Sequence, residues 1–287
     1  MFTKSSWVHL RIPFSFFLLP VFAFALSSIN EVNVFYGLIV FFALHLFLYP
    51  ASNGYNSYFD KDEGSIGGIK APPKVNNDLY YLALLFDAIA LILASYNFIF
   101  FLMLLTYGLV SKAYSHPSIR IKKYPLASWF IAGFFQGFFT FLMAYIGLID
   151  GSFSDIIEPK ILYAGCLTSI MLWGSYPMTQ IYQHEEDTKR GDVTLSVKLG
   201  VLGTFHFVAI FFFFSSLLFF WFFLHHYSID VSLIYLGAMG PVVSFFAYWY
   251  IQVRKDKKLA NFDNTMKLNF LSSLCLNAFF IWLWIMR

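Results

Sequence analysis

Nine apolar runs repeat along the chain at 12–29, 34–54, 79–95, 97–112, 126–148, 160–180, 202–224, 231–252 and 266–286. A bilayer core is crossed by about 20 helical residues, so each run is read as a membrane span. Only Ser95, Tyr96 and Asn97 separate the third and fourth runs, which predicts a tight helical hairpin there. Composition agrees, with 59% hydrophobic and only 12% charged residues among 287. A soluble domain carries about twice that charged fraction. The same values exclude a disordered chain, and nothing in the sequence reads as nucleic-acid binding or implies a protein partner. The expected fold is all-α: one integral-membrane domain over 1–287, built as a polytopic bundle of nine transmembrane helices.

Positive charge sets the direction, because cytoplasmic loops are enriched in Lys and Arg. With the N-terminus inside, 17 of the 19 Lys and Arg residues fall on the cytoplasmic side, and only Lys160 and Arg287 fall outside. The expected location is the inner membrane of a bacterium, with the functional face toward the cytoplasm. The first run is longer than a signal-peptide core, and Ser27 and Ser28 are followed by no soluble domain, so it reads as a span. Cys166 and Cys275 sit in separate spans without metal-ligand spacing and read as buried, inert thiols rather than a disulfide.

Two polar stretches interrupt this pattern, residues 56–63 and 183–191. Carboxylates are costly at a membrane boundary unless they pair or hold a cation, so two such clusters at matching helix ends suggest one shared site. Asn56 and Asp60 are four apart and share a helix face, and Gln183 and Asp187 repeat that spacing with Glu186 beside it. Asp62 and Glu63 project elsewhere unless the helix ends soon after Asp60. Two half-sites with one or two carboxylates each suit Mg²⁺, which completes its octahedron with water and substrate phosphates. Zinc is not matched, since His184 has no second His or Cys at ligand spacing. Lys189 and Arg190 follow the second cluster, and Arg120, Lys122 and Lys123 fill the loop after the fourth run. Topology alone explains basic loops, as at Lys255, Lys257 and Lys258, but not their mixture with acids.

The chemistry that fits is ionisation of an allylic diphosphate: Mg²⁺ as Lewis acid, and Lys or Arg opposite the leaving group. An aromatic-rich apolar bundle keeps water from the cation, each ring face adding about 0.5–2 kcal/mol.

The chain resembles the UbiA superfamily of intramembrane prenyltransferases over nearly its whole length. Asn56 and Asp60 match that family's NDxxDxxxD motif at the end of helix 2. Asp187 matches the last acid of its DxxxD motif at the end of helix 6, and Gly191–Gly200 is similar to its GxxTLxVxLG continuation. Tyr114–Lys122 resembles its YxxPPxRLK segment. Three departures stand out: Ser57, Gly64 and Gln183 occupy positions where the family carries acids. Nearby Asp62, Glu63, Glu185 and Glu186 are candidates to replace them. The resemblance implies a nine-helix fold with the N-terminus inside, a Mg²⁺ cofactor, a polyprenyl diphosphate donor and a hydrophobic acceptor, an aromatic or quinone-precursor ring. It implies catalytic roles for Asp60, Asp187 and Lys122. Metal would be held by Asn56, Asp60, Glu186 and Asp187, with Asp62, Glu63 and Gln183 as lesser candidates. The diphosphate would meet Asn56, Tyr114, Arg120, Lys122 and Lys189.

The alternative is a non-catalytic lipid-binding protein or a transporter. A transporter places its acids near the midplane on broken helices, whereas these lie at helix ends beside phosphate-type cations. A CDP-alcohol phosphotransferase is weaker still, as its DGxxAR core is missing. Asp87, within the third run, is an intramembrane carboxylate without an evident partner.

Overall fold

Lipid offers backbone N–H and C=O groups no partners, so a chain of this composition closes its hydrogen bonds within helices. The computed structural model describes residues 2–61 and 63–286; Asp62 lies outside the described residues. In chain order the helices are α1 (Lys4–His9), α2 (Leu19–Ser27), α3 (Val34–Phe41), α4 (Tyr49–Asp60), α5 (Asp78–Ala94), α6 (Phe98–Ser115) and α7 (Pro125–Phe134). There follow α8 (Thr140–Ile149), α9 (Phe153–Ile156), α10 (Pro159–Thr179), α11 (His184–Arg190), α12 (Leu195–His226), α13 (Ile229–Lys255) and α14 (Phe262–Ile285). Wider π-helical turns, Phe42–Leu48 and Phe135–Phe139, join α3 to α4 and α7 to α8. Among the described residues, the only β pairing is one bridge, Ile66 with Ile69.

Six continuous stretches are long and apolar enough to cross a membrane: Val34–Asp60, Phe98–Ser115, Pro125–Ile149, Leu195–His226, Ile229–Lys255 and Phe262–Ile285. Lys4–Phe17 and Leu19–Ser27, bent by 43°, make a seventh if taken as one span. The expected count of nine is therefore not reached on length and composition. At 17 residues α5 is short, and α10 carries Thr168, Ser169, Ser175 and Thr179 within its 21 residues.

The core forms where these helices converge. Phe24 of α2 is fully buried, stacks on Phe280 at 4.6 Å, and meets Phe141 and Phe219. Helices approach most closely at small residues, as membrane packing favours. A Cβ added at Gly137 would lie 2.6 Å from the Ser169 backbone of α10.

Two sequence expectations change here. Cys166 is exposed on the outside of α10 and Cys275 is half-buried, so the thiols are free but not both interior. Asp87 has a partner, Lys112 of α6, in an ion pair whose side chains are 12% and 22% exposed. The Lys112 ammonium also lies 5.4 Å from the centre of the Tyr55 ring. Breaking a shielded pair from one side leaves an uncompensated charge, whereas replacing both groups does not. Asp87→Asn and Lys112→Met are each expected to lower the melting temperature of the detergent-solubilised protein more than the double replacement does.

Candidate active site

The end of α4 supplies the first wall. Lys61 takes a left-handed conformation (φ 50°) and stops the helix one residue after Asp60. Asn56 and Asp60 then share a face toward a polar chamber of about 170 Å³. Ser57, rotated off that face, is 1% exposed, so an acid there would be buried away from the chamber. The second cluster lies not on the end of α10 but on α11, a separate short helix after a 3-10 turn at Ile181–Gln183. Gln183 immediately precedes α11 and, with Asp187, faces the same chamber. Gly191 (φ 74°) ends α11 in the left-handed conformation that glycine adopts without strain. The Asp192 N–H returns to the Asp187 carbonyl at 2.9 Å, which turns the Asp192 side chain inward.

These turns assemble a four-residue charge cluster. Arg120 donates to both oxygens of Asp192, Nε at 3.1 Å and Nη2 at 2.8 Å, and stands 4.0 Å from Asp60. Lys122 pairs with Asp60 and lies 3.9 Å from Asp192. The two carboxylates are 4% and 6% exposed, so neither is screened well by solvent. The hydrogen bonds that Arg120 donates to Asp192, followed by the Asp192 charge, hold the Arg120 pKa above its ordinary value despite partial burial. Opposite them, the Ser115 hydroxyl donates to Asn56 Oδ1. His184 is half-buried against the Ser196 hydroxyl at 2.7 Å, and burial lowers its pKa.

A lid-like loop covers the chamber. The Ile66 and Ile69 backbones bond each other at 2.9 and 2.8 Å, and Ile66 and Gly67 line the chamber. Gly67 rests on the Phe14 ring, where an added Cβ would lie 2.5 Å from Cζ. Further along, Pro73 and Lys74 are held by His9 and Ser5 of α1 at 2.8 and 2.6 Å.

Below the chamber lies a larger, mostly apolar cavity of about 350 Å³ between α4, α6, α10, α12 and α14. Arg11, Phe14, Asn56, Tyr114, Tyr176 and Thr179 line both spaces, so the two adjoin. The Tyr114 and Tyr176 hydroxyls meet at 2.5 Å on that boundary. Arg11 is the one Asp, Glu, Lys or Arg in the lower lining among the described residues.

Of the residues singled out by sequence, Asn56, Asp60, Tyr114, Lys122, Gln183 and Asp187 line the chamber. Arg120 braces Asp60 and Asp192 from behind instead of lining it. Lys189 and Glu63 are exposed. Glu186 turns toward the loop: its Oε1 accepts from the Glu63 and Gly64 N–H groups at 3.1 and 3.4 Å and from Arg190 at 2.5 Å. Sequence reasoning missed Arg11, Tyr176 and Asp192, and took Lys189 where Arg190 lines the chamber. Arg11 is set by a left-handed backbone turn (φ 49°) between α1 and the next turn, a feature no spacing rule reveals. Asp192 stood in plain view beside Gly191, read only as a position in a longer run.

The described residues thus form an all-helical bundle in which a charged chamber adjoins a larger, mostly apolar cavity. The sequence model of the UbiA prenyltransferase family matches residues 16–274, and the chain belongs to that family. No curated protein matches the chain. Among solved structures, a UbiA homolog from Archaeoglobus fulgidus bound to DMAPP and Mg²⁺ aligns with a TM-score of 0.70 at 15% identity, covering 99% of this chain and 100% of that one. The same homolog bound to GPP and Mg²⁺ gives 0.68 at 17%, covering 98% and 99%. A structure described for digeranylgeranylglyceryl phosphate synthase gives 0.63 at 19%, covering 99% of each chain. The protein is thus a multi-pass membrane prenyltransferase by family.

Proposed function

We propose that this protein transfers a prenyl group from a polyprenyl diphosphate to a hydrophobic acceptor, an aromatic or quinone-precursor ring, inside the membrane. The observation that carries this reading is the stacking of a small charged chamber on a larger apolar cavity through shared walls. The diphosphate belongs in the first space and the prenyl chain in the second. That prenyl diphosphates with Mg²⁺ bind a homolog of the same fold supports it further.

The charge balance of the chamber argues for a divalent cation. Arg11, Lys122 and Arg190 line it against Asp60, Asp187 and Asp192. This leaves no net positive charge for a diphosphate bringing about three negative charges. The donor set fits Mg²⁺: Asp60 and Asp187 supply carboxylates, and Asn56 and Gln183 supply amide oxygens. No group of three or more His, Cys, Asp or Glu gathers among the described residues, consistent with an ion completed by phosphate and water. When bound, Mg²⁺ would supply Lewis acidity toward the leaving diphosphate.

Lys122 and Arg11 offer N–H groups to the diphosphate oxygens as charge gathers there, while Arg120 and Asp192 hold Lys122 in place. The bond from C1 to oxygen breaks with its electron pair going to the diphosphate. The acceptor supplies the pair for the new bond to C1 and gives up its proton to the departing diphosphate. Tyr114 and Tyr176 present ring and hydroxyl where the cation forms. The basic loops support nine crossings with the N-terminus cytoplasmic, α5 and α10 included, which opens the chamber to the cytoplasm.

Purified protein in lipid nanodiscs, given labelled geranyl diphosphate, Mg²⁺ and hydroxylated aromatic acceptors, is expected to form prenylated product, and chelation to abolish it. Lys122→Ala should reduce turnover by about 10². Lys123→Ala should change it by less than about twofold, since Lys123 is exposed and lies over the Tyr124 ring at 4.9 Å. Equal turnover in the two lysine variants would contradict the assigned site.

A further inference from the structure

The carboxylate of Glu186 sits where the first acidic cluster has none. Gly64 stands at a position where the sequence pattern leads one to expect an acid, and a Cβ there would lie 2.5 Å from Glu186 Oε2. Glu186 accepts from two consecutive backbone N–H groups, those of Glu63 and Gly64, and from Arg190 on its own helix. One residue further, Gln183 Nε2 donates to the Ser65 carbonyl at 3.2 Å. Three successive residues of the first loop are thereby tied to the second motif across more than 100 positions of sequence. The loop so held continues into Ile66 and Gly67, which form part of the chamber wall. Glu186 itself is turned out of that wall.

We propose that Glu186 is a positioning residue rather than a metal ligand: it latches the 63–69 loop over the chamber and keeps water from the reacting carbon. Backbone N–H groups outside helices and strands must find other acceptors, and charge-assisted bonds to a carboxylate are the strong kind. Glycine at 64 suits this role, because a side chain there would displace the carboxylate from its present place against the backbone. The consequence for chemistry rests on the prenyl-transfer reading above. With the loop loose, water supplies the electron pair to C1 in place of the acceptor. The C1–oxygen bond breaks with its pair leaving on the diphosphate, and the water proton goes to solvent, giving a free prenyl alcohol.

The test compares Glu186→Ala with Glu186→Gln in the full-length protein in nanodiscs, because Gln keeps an oxygen for the two N–H groups. Amide hydrogen exchange of the 63–69 segment is expected to quicken by about tenfold or more in the Ala variant and to stay near wild type in the Gln variant. With geranyl diphosphate and Mg²⁺, the ratio of prenyl alcohol to prenylated acceptor should rise about fivefold in the Ala variant alone. The Mg²⁺ concentration for half-maximal rate should be unchanged in both. Unchanged exchange in the Ala variant, or a shift of that Mg²⁺ concentration by about tenfold in both variants, would overturn the latch. If exchange responds as expected but the wild-type protein forms no product, the latch stands and the prenyl-transfer reading falls.

Discussion

Replacing Asp60 or Asp187 by alanine is expected to lower prenyl transfer by a factor of about 10²–10³. The two carboxylates come from different helices, α4 and α11, and face one chamber. Each is therefore needed on its own side of a site that must hold a cation and a polyanion together. Asp60 has a second role, as its carboxylate pairs with Lys122 and lies 4.0 Å from Arg120. Its loss leaves two cations facing each other with Asp192 alone between them. Asp60→Asn, which keeps the shape and one oxygen, should fall between wild type and Asp60→Ala. Initial rates in nanodiscs over a range of Mg²⁺ check this, with thermal unfolding in parallel to show that each variant folds. Turnover unchanged in both alanine variants would remove the assigned roles.

Restoring an acid at position 64 is expected to impair the protein, although the family pattern carries one there. In Gly64→Asp the new side chain would begin within 2.5 Å of Glu186 Oε2 and bring a second negative charge against the first. Both the steric contact and the repulsion push the loop from the chamber, so turnover should fall at least about tenfold. The diagnostic is non-additivity: with Glu186→Ala already present, Gly64→Asp should cost little more. Residues in direct contact typically show coupling of about 0.5–3 kcal/mol. A double-mutant cycle on initial rates measures that value, and simple additivity would show that position 64 does not act through Glu186.

Much of this arrangement was legible in the sequence because it rests on local rules. Helical spacing put Asn56 with Asp60 and Gln183 with Asp187, and all four line the chamber. The order of the motifs pointed to the family, and the family match over 16–274 agrees. The remainder depends on backbone turns and distant contacts. Arg11, Arg120 and Lys61 each take a left-handed conformation, and those turns aim Arg11 into the chamber and Arg120 behind it. Periodicity carries no information about such points. Glu186 lies three residues after Gln183, beside the face that Gln183 and Asp187 share, yet its carboxylate turns to the loop. Its partners, the N–H groups of Glu63 and Gly64, lie more than 120 residues away. The same holds for Asp87, whose partner Lys112 sits on the next helix, 25 positions on. At α5 and α10 the span count does not follow from length and composition alone, because one helix is short and the other is spotted with polar residues.

The central claim is that a prenyl diphosphate lies across the two adjoining spaces, head in the chamber and chain in the cavity. The most direct measurement is a structure of the protein with Mg²⁺ and a non-hydrolysable geranyl thiodiphosphate. The expected result places the diphosphate between Lys122 and Arg11, with Mg²⁺ on the side of Asp60 and Asp187. The chain would pass Tyr114 and Tyr176 toward α12 and α14. A ligand bound on the lipid-facing surface of α12 and α13, or a diphosphate remote from both aspartates, would contradict it.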